Sequence, residues 1–226
     1  MQEDLLNQVE DLAKPTYAKV SIWCHGWLHV LGVVRAAKAL AEMEGVDPTL
    51  CQIAAYCHDL GRAEEEKKSL VNFKPGSPSP HAAMAVAPTK LILEKIGITG
   101  KDAEDIVEAV KIHNIRKYEG PNKIALILQD ADRADGFGKF AILRFANFNC
   151  EIDIPEPSDD FQIEQLLEKV KQILKQDKVK RDRMIETLNY VFGWVDELAN
   201  TKSLRTYVDA GYKFNQDFCE ELKSYD

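Results

Sequence analysis

Apolar residues recur every three or four positions along most of the chain, and this spacing restricts its fold more than any other feature. Three segments show it most clearly: Leu28, Leu31, Val34 and Ala37; Ile106, Val107, Val110 and Ile112; and Leu166, Val170, Ile173 and Leu174. Residues so spaced lie on one face of an α-helix, whereas a half-buried strand alternates apolar and polar residues. Because convincing alternation is missing, the sequence predicts an all-α fold.

Helix-capping signals divide this pattern into separate helices. Asp47 and Ser79 each stand directly before a proline, which is typical of a helix start. Thr99 opens a sequence that resembles a capping box, and Gly61 is expected to end the helix that begins after Asp47. These signals predict helices at about 20–44, 48–60, 80–97, 101–114, 122–137, 161–177, 180–199 and 204–222. Loops are predicted at about 73–80 and 151–160, where prolines occur.

Length and charge narrow the class of protein. A chain of 226 residues can bury a substantial core, and one elaborated domain spanning 1–226 is the simplest expectation. A net charge of −8 disfavours duplex nucleic acid or a membrane surface as a partner, because such binding depends on Lys and Arg side chains. The chain shows no signal peptide and no apolar run that approaches a membrane span, which predicts a cytoplasmic protein. The five cysteines have no CxxC spacing and are expected to be reduced core residues.

The histidines give the main indication of function. The chain has five of them: His25, His29, His58, His81 and His113. Four fall on four different predicted helices, and helical bundles build metal sites by projecting one or two ligands inward from each of several helices. Imidazole and carboxylate groups suit Mn²⁺, Fe²⁺, Zn²⁺, Co²⁺ or Ni²⁺, whereas Ca²⁺ requires more carboxylates. The sequence therefore predicts a divalent transition-metal site.

Three segments carry a resemblance to a known family: HGWLH at 25–29, AYCHDLGR at 55–62 and QDADRAD at 129–135. Their order of a lone histidine, an adjacent His-Asp pair and a later aspartate resembles the HD-domain superfamily. The resemblance covers residues from about 20 to 140. It implies an HD-domain helical bundle, to which a C-terminal extension at about 158–226 adds further helices.

The resemblance also implies which residues bind metal. The first ion would be held by His29, His58, Asp59 and Asp132. Binuclear members of the superfamily have a histidine at each of the positions of His81 and His113. A second ion would be held by these two residues and by Asp59, which would bridge the ions. In a mononuclear site the two histidines would instead donate hydrogen bonds to substrate phosphate, so the expected cofactor is one or two divalent ions.

A metal-dependent phosphohydrolase is the function that the resemblance implies. Such an enzyme cleaves a phosphoester of a small molecule or nucleotide with metal-activated water. Asp59 and Arg62 are the expected catalytic residues, because Arg62 directly follows the His-Asp-Leu-Gly turn and its cation suits phosphate oxygens. Further candidates for substrate binding are Lys111, Arg116 and Arg133.

Two more side chains are expected beside the metal ligands. His25 lies four residues before His29 and shares its helix face if the helix extends that far. Asp130, Asp132 and Asp135 compete for the last ligand position, and the resemblance selects Asp132. Asp135 would then orient a ligand imidazole, as carboxylates near metal sites commonly do.

Two other functions fit the same residues. Some HD-fold proteins that resemble this ligand order hold two irons and use dioxygen to oxidise a substrate carbon. A non-catalytic module that binds metal together with a nucleotide or another anion is the second alternative. Aromatic residues of the C-terminal helices are expected in the core, and a pocket lid or a homodimer interface would also suit them: Tyr190, Trp194, Tyr207, Tyr212 and Phe214.

Overall fold

The computed structural model describes residues 2–71 and 79–225, and all regular structure in these ranges is helical. Eleven α-helices follow one another: α1 (Gln2–Tyr17), α2 (Trp27–Glu44), α3 (Pro48–Cys57), α4 (Arg62–Lys67), α5 (His81–Lys95), α6 (Gly100–Ile112), α7 (Lys123–Ala134), α8 (Lys139–Phe148), α9 (Asp160–Gln176), α10 (Lys178–Asp196) and α11 (Ser203–Lys223). A short 3-10 turn at Trp23–His25 precedes α2. The predicted all-α fold is confirmed. None of the helices in these ranges is both long enough and apolar enough to span a membrane.

Eight of the helices correspond to predicted ones, with ends that differ by a few residues. The start of α2 differs most: it begins at Trp27 because the chain first forms the 3-10 turn and is then extended at Gly26. Helices α1, α4 and α8 were not expected. α4 is only six residues long, and α8 begins after Gly138 without a side-chain cap, so neither carries a clear start signal.

The predicted loops and caps have mixed outcomes. The loop at 151–160 is confirmed as far as Asp159, after which α9 begins, whereas residues 73–78 of the other predicted loop lie outside the described ranges. Asp47 caps α3 by accepting hydrogen bonds from the backbone N–H groups two and three residues on. Thr99 stands at the N-cap of α6 without a side-chain capping bond. Pro80, and not Ser79, occupies the N-cap position of α5.

Gly61 does not end a helix as predicted. Helix α3 already ends at Cys57, and Gly61 has a φ of −81°, which is not the left-handed conformation of a glycine cap. Helix α5 instead passes so close that a Cβ on Gly61 would lie 2.0 Å from the backbone oxygen of His81. The missing side chain therefore allows the start of α5 to pack directly on the turn that follows α3.

Two clusters of buried apolar residues hold the helices together. The first is formed mainly by α1–α3 and α5–α7 and includes Ile53 and Leu128. The second joins α8–α11 and includes Leu188. Phe137 and Phe192 pack against both clusters, so the C-terminal helices adjoin the core of the HD-like region. A single domain over residues 1–226 stays a prediction.

Candidate metal centre

Six histidine and aspartate side chains meet inside the helical bundle, in two groups of three. The first trio consists of His29, His58 and Asp132. The second trio consists of Asp59, His81 and His113. Within each trio the potential ligand atoms all lie within 4.8 Å of one another. The structure thus brings together all six residues predicted to bind metal, although their binding of an ion stays a prediction.

Asp59 is shared between the two trios through its two carboxylate oxygens. Its Oδ2 lies 3.6 Å from the Nε2 atoms of both His29 and His58. Its Oδ1 lies 3.1 Å from Nε2 of His81 and 3.6 Å from Nε2 of His113. One oxygen therefore adjoins each trio, which is the arrangement of a carboxylate that bridges two ions.

The local structure explains how these residues converge. His58 and Asp59 directly follow the last residue of α3, in the turn that leads to α4. His81 is the first residue of α5, which approaches this turn closely at Gly61. His113 directly follows α6, so the second trio is formed where one helix begins and two helices end.

Backbone carbonyl groups fix the protonation of two of the imidazoles. The Nδ1–H of His58 donates to the oxygen of Ala55 at 2.7 Å, and the Nδ1–H of His113 donates to the oxygen of Val110 at 2.7 Å. A carbonyl oxygen only accepts hydrogen bonds, so Nδ1 must carry the proton. In the neutral ring Nε2 then presents a lone pair, which is the form that binds metal.

In each trio the Nε2 atoms of the two histidines lie so close together that a cation between them is favoured. Nε2 of His29 and His58 are 3.2 Å apart, and Nε2 of His81 and His113 are 3.0 Å apart. Two lone pairs at such a distance repel each other unless a proton or a metal ion lies between them. Ligands that share an ion with bonds of about 2.0–2.2 Å lie at comparable separations. The donor set therefore fits divalent transition-metal ions.

Asp59 Oδ1 supplies independent support for this fit. Asp59 is 1% exposed, and Oδ1 is a buried atom without a hydrogen-bond partner among the described residues. A buried, unpartnered carboxylate oxygen is costly, and buried charges are normally paired or bound to a metal. An ion in the second trio would supply the partner that Oδ1 lacks between its two neighbouring imidazole nitrogens.

Burial and neighbouring charges set the protonation of the centre. Burial lowers the pKa of His58 and of His81 to about 4, so both rings are neutral at physiological pH. Burial alone would raise the pKa of Asp59, but the charge of Arg62 and the adjacent histidines hold it well below its usual range. Burial likewise lowers the pKa of His113, yet its close contact with the charged Asp59 raises it overall. A proton therefore competes with an ion more strongly at His113 than at His58 or His81.

Asp132 and Asp130 have different environments although both were considered for the last ligand position. Asp132 Oδ1 lies 3.5 Å from Nε2 of His29, and its side chain is 32% exposed. Asp130 is fully buried and accepts hydrogen bonds from the backbone N–H groups of Asn200 at 3.0 Å and of Thr201 at 2.8 Å. It also accepts from the Nη1 of Arg133. Asp130 therefore ties α7 to the loop between α10 and α11, outside both trios.

Asp135 contacts a predicted ligand. Its Oδ2 accepts a hydrogen bond from the Nδ1–H of His29 at 2.7 Å, and it forms an ion pair with Arg144. A Cβ on Gly32 would lie 2.1 Å from Asp135 Oδ1, so the glycine makes room for this carboxylate. The Nε–H of Arg144 also donates to the oxygen of Cys24 at 2.6 Å. Arg144 was not predicted, although it is the one charged residue within an otherwise apolar stretch of α8.

Arg62, which was expected to bind substrate phosphate, contacts the carboxylate that the two trios share. Its Nε–H donates to Asp59 Oδ2 at 3.1 Å and its Nη1 donates to Glu65 Oε2 at 2.9 Å. Glu65 is fully buried, and the hydroxyl of Ser79 contacts both Glu65 and Nδ1 of His81. Burial would raise the pKa of Glu65, but its polar contacts and the charge of Arg62 hold the pKa at about 2. Neither Glu65 nor Ser79 was predicted as a site residue, because their contact with each other spans 14 positions and forms only in the folded chain.

The other predicted cations are placed less favourably for substrate binding. Lys111 is exposed and is not among the cavity-lining residues. Arg116 lines the cavity, but its side chain is 80% exposed and lies 3.7 Å from Glu197. The Nη1 and Nη2 atoms of Arg133 donate to the backbone oxygens of Leu198 and Arg116, both at 2.7 Å. Arg133 therefore holds loops together with the same groups that would bind a phosphate.

A cavity of about 540 Å³ adjoins the two trios. Four of the six predicted ligands line it: His29, His81, His113 and Asp132. His25 also lines it, but from the 3-10 turn and not from the helix of His29 as expected. Its ring lies 6.4 Å from that of His29 and 4.7 Å from that of Phe148, and burial lowers its pKa well below the usual value.

Comparisons with known proteins agree on the fold. The family model for the HD domain matches residues 26–136. A predicted HD superfamily hydrolase from an uncultured Thermotogales bacterium is 18% identical with a TM-score of 0.58, and the alignment covers 98% of this chain and 91% of that one. YpgQ of Bacillus subtilis in complex with ADP is 20% identical with a TM-score of 0.57, and the alignment covers 99% of this chain and 96% of YpgQ. A protein from Lactobacillus plantarum is 19% identical with a TM-score of 0.58, and the alignment covers 96% of each chain.

Among curated proteins, none has a significant match to this chain. The region matched by the HD-domain model contains all six members of the two trios as well as Arg62 and Asp135. HD domains bind divalent metals, and the donor set described above is compatible with them. Residues 26–136 carry the HD domain, and nearly the whole chain shares the fold of solved structures that include a predicted HD superfamily hydrolase.

Proposed function

We propose that this protein is a metal-dependent phosphohydrolase that cleaves a phosphoester of a small molecule or nucleotide. The shared position of Asp59 carries the proposal, because its two oxygens adjoin two separate sets of imidazole nitrogens. Two ions about 3.5–4 Å apart are typical of enzymes that displace a phosphoryl group. The structural relative YpgQ was crystallised with ADP, which supports a nucleotide as one class of substrate.

The chain's own residues would bind and orient the substrate. Divalent ions held by the two trios would supply the Lewis acid that activates water and would offset the charge of the phosphoryl group. Arg62 and Arg144 line the cavity, and their ion pairs with Asp59 and Asp135 hold both guanidinium groups in place before an anion enters. Preorganised cations of this kind stabilise developing phosphoryl charge without further reorganisation.

Asp132 differs from the other five predicted ligands in its access to solvent. Its side chain is 32% exposed, whereas those of the histidines and Asp59 are at most 3% exposed. Water and substrate therefore reach the centre on the side of Asp132. We propose that one carboxylate oxygen of Asp132 binds the first ion and that the other remains available to accept a hydrogen bond from water.

Removal of the metal should abolish phosphate release. Protein treated with a chelator and dialysed is expected to release no phosphate from phosphomonoesters, nucleotides or cyclic dinucleotides, and one or more of Mn²⁺, Fe²⁺, Co²⁺, Ni²⁺ and Zn²⁺ should restore activity. The melting temperature should rise on reconstitution, because an ion at 100 times its Kd stabilises the folded chain by about 2.7 kcal/mol. Phosphate release, metal analysis and thermal melting measure the three effects.

Two results would contradict the proposal in different ways. A protein with two irons that consumes oxygen and releases no phosphate would be an HD-fold oxygenase. A fully metal-loaded protein that does neither, yet binds nucleotides, would be a non-catalytic binding module. Both alternatives use the same six residues, so the measured chemistry separates them.

Substitution of His81 tests whether the centre holds two ions. In His81→Ala the second trio loses one of its two nitrogens, while His29, His58 and Asp132 are untouched, so bound metal should fall from two ions per chain to one. Lys111→Ala, an exposed change outside the cavity, is the matched control and should keep both ions. Unchanged stoichiometry with weaker substrate binding would instead assign His81 a hydrogen bond to phosphate.

We also propose that the protein acts in the cytoplasm. All five cysteines are free and buried. Burial raises the pKa of Cys24, Cys51, Cys57 and Cys150 to about 12, so these thiols stay protonated and unreactive. Such cysteines are core residues and fit a reducing compartment, in which disulfides are rare.

A further inference from the structure

The cavity is larger than a phosphate group needs. Its volume of about 540 Å³ lies within the range of about 300–1,000 Å³ that is typical of sites for whole small molecules. Beyond the predicted metal ligands it is lined by apolar and aromatic residues of α8 and α10: Phe145, Phe148, Tyr190, Val191 and Trp194. These residues lie outside the region matched by the HD-domain model.

We infer that the substrate carries a planar aromatic ring next to its phosphoester, and that this ring packs against Trp194 and Tyr190. The inference rests on the proposed phosphohydrolase function, and it adds a chemical class for the part of the substrate that is not phosphate. Both side chains were expected in the core, with a pocket lid or a homodimer interface as alternatives. In the structure both line the cavity, and Tyr190 is 43% exposed.

Trp194 is held in place before any ligand binds. Its ring packs so closely on the backbone of Gly136 that a Cβ there would lie 2.7 Å from Trp194 Cζ3. The ring of Tyr190 also contacts the ring of Trp194 edge to face, with ring centroids 5.8 Å apart and an interplanar angle of 78°. A fixed aromatic side chain loses little conformational entropy when a ligand packs against it, which favours affinity.

The same turn connects this aromatic pair to the metal centre. Gly136 directly follows Asp135, and Asp135 accepts the hydrogen bond from His29. The indole and the first trio are thus anchored on adjacent residues of one turn. A ring that contacts Trp194 and a phosphate that reaches His29 and Asp132 would belong to one ligand in one cavity.

The composition of the wall favours a flat ring over an aliphatic chain. Aromatic rings prefer offset-stacked or edge-to-face contacts with other rings, and removal of such a partner by alanine substitution weakens base binding about 5- to 150-fold. Thr187 and Asn114 also line the cavity, and their side chains donate to the backbone oxygens of Arg183 and Ser79. Their side-chain oxygens can still accept a hydrogen bond from an N–H group of a nucleobase or a similar heterocycle.

The test compares adenosine 5′-monophosphate with ribose 5-phosphate, which has the same sugar and phosphate but no ring. Binding to the metal-loaded full chain is measured by calorimetry, and phosphate release is recorded in the same samples. We expect the unmodified protein to bind the nucleotide about 5- to 150-fold more tightly than the sugar phosphate. Trp194→Ala should remove this preference and leave the affinity for ribose 5-phosphate unchanged.

Matched variants distinguish the contribution of the aromatic ring of Trp194 from that of an apolar side chain of similar size. Trp194→Phe should keep most of the preference, whereas Trp194→Leu should lose it. Phe161→Ala on α9 removes an aromatic side chain that is 71% exposed and outside the cavity, and it should change neither affinity. If Trp194→Ala does not fold, Tyr190→Ala provides the same comparison from an exposed position.

Three results would overturn the inference. The first is that the unmodified protein binds both probes with equal affinity, and the second is that Trp194→Ala weakens the affinity for both probes equally. The third is that Trp194→Leu keeps the full affinity for the nucleotide. Absence of phosphate release from either probe would count against the proposed hydrolysis alone. A ring preference that depends on Trp194 would still support the inference in that case. The two failures are therefore distinguishable.

Discussion

Asp59→Asn is expected to remove metal from both trios at once and to lower phosphate release by more than about 100-fold, beyond the effect typical of residues that only support a ligand. Among the residues that the structure describes, Asp59 is the one whose oxygens adjoin both trios. An amide has the same shape but no negative charge, and it offers one oxygen in place of two. Metal analysis and an assay of phosphate release measure the two losses.

The asparagine variant also controls for folding. Asparagine keeps the volume of the buried side chain, so no cavity forms, and Arg62 loses one carboxylate partner but keeps Glu65. Asp102→Asn, an exposed change in the first turn of α6, is the matched acid-to-amide control and should keep metal and activity. Retention of both ions and of activity in Asp59→Asn would show that the central assignment is wrong.

Gly61→Ala should have the next largest effect, although glycine has no side chain to bind anything. Its new Cβ would lie 2.0 Å from the oxygen of His81 and 2.9 Å from the nitrogen of Ala85, so the start of α5 must move away. His81 then withdraws from Asp59, and bound metal should fall by half. The loss of activity should reach about 10- to 100-fold, and overpacking should cost about 1–3 kcal/mol of the free energy of unfolding.

A second glycine provides the control for this substitution. Gly193 lies within α10, and the nearest atom that a Cβ would meet there is Cδ of Glu197 at 4.0 Å. Gly193→Ala should therefore stabilise the helix by about 0.5–1 kcal/mol and leave the metal content unchanged. If Gly61→Ala keeps two ions with full affinity, then close packing of α5 does not position His81.

Much of the fold and of the centre could be predicted because the signals are local. Helical spacing depends on neighbouring residues, and it indicated eight of the eleven helices in the described ranges. Four of the six residues of the trios lie in three short segments whose order resembles a known family, and the same resemblance indicated His81 and His113. Helix α1 has the same spacing, with Val9 and Ala13 buried, so its pattern was available in the sequence.

The remaining features depend on contacts between distant residues. Asp135 was expected to orient a ligand imidazole, but its partner His29 lies 106 positions away and only the folded chain identifies it. Arg144 reaches Cys24 across 120 positions, and no local pattern indicates that contact. The cations illustrate the same limit. Arg133 was predicted to bind substrate, but its donors are taken up by backbone oxygens of two loops, which only the folded chain brings near.

The hydrogen bonds of Asp130 also affect how far this protein can be truncated without loss of stability. The family match ends at residue 136, yet this buried carboxylate takes its backbone donors from Asn200 and Thr201, some 70 positions later. A fragment that stops at the end of the match would leave the carboxylate with Arg133 alone, and a buried acceptor without its partners costs about 1–3 kcal/mol, more when it is charged. We therefore predict that the end of the family match is not the end of a cooperatively folding unit, and that a stable minimal version of this protein requires the C-terminal helices.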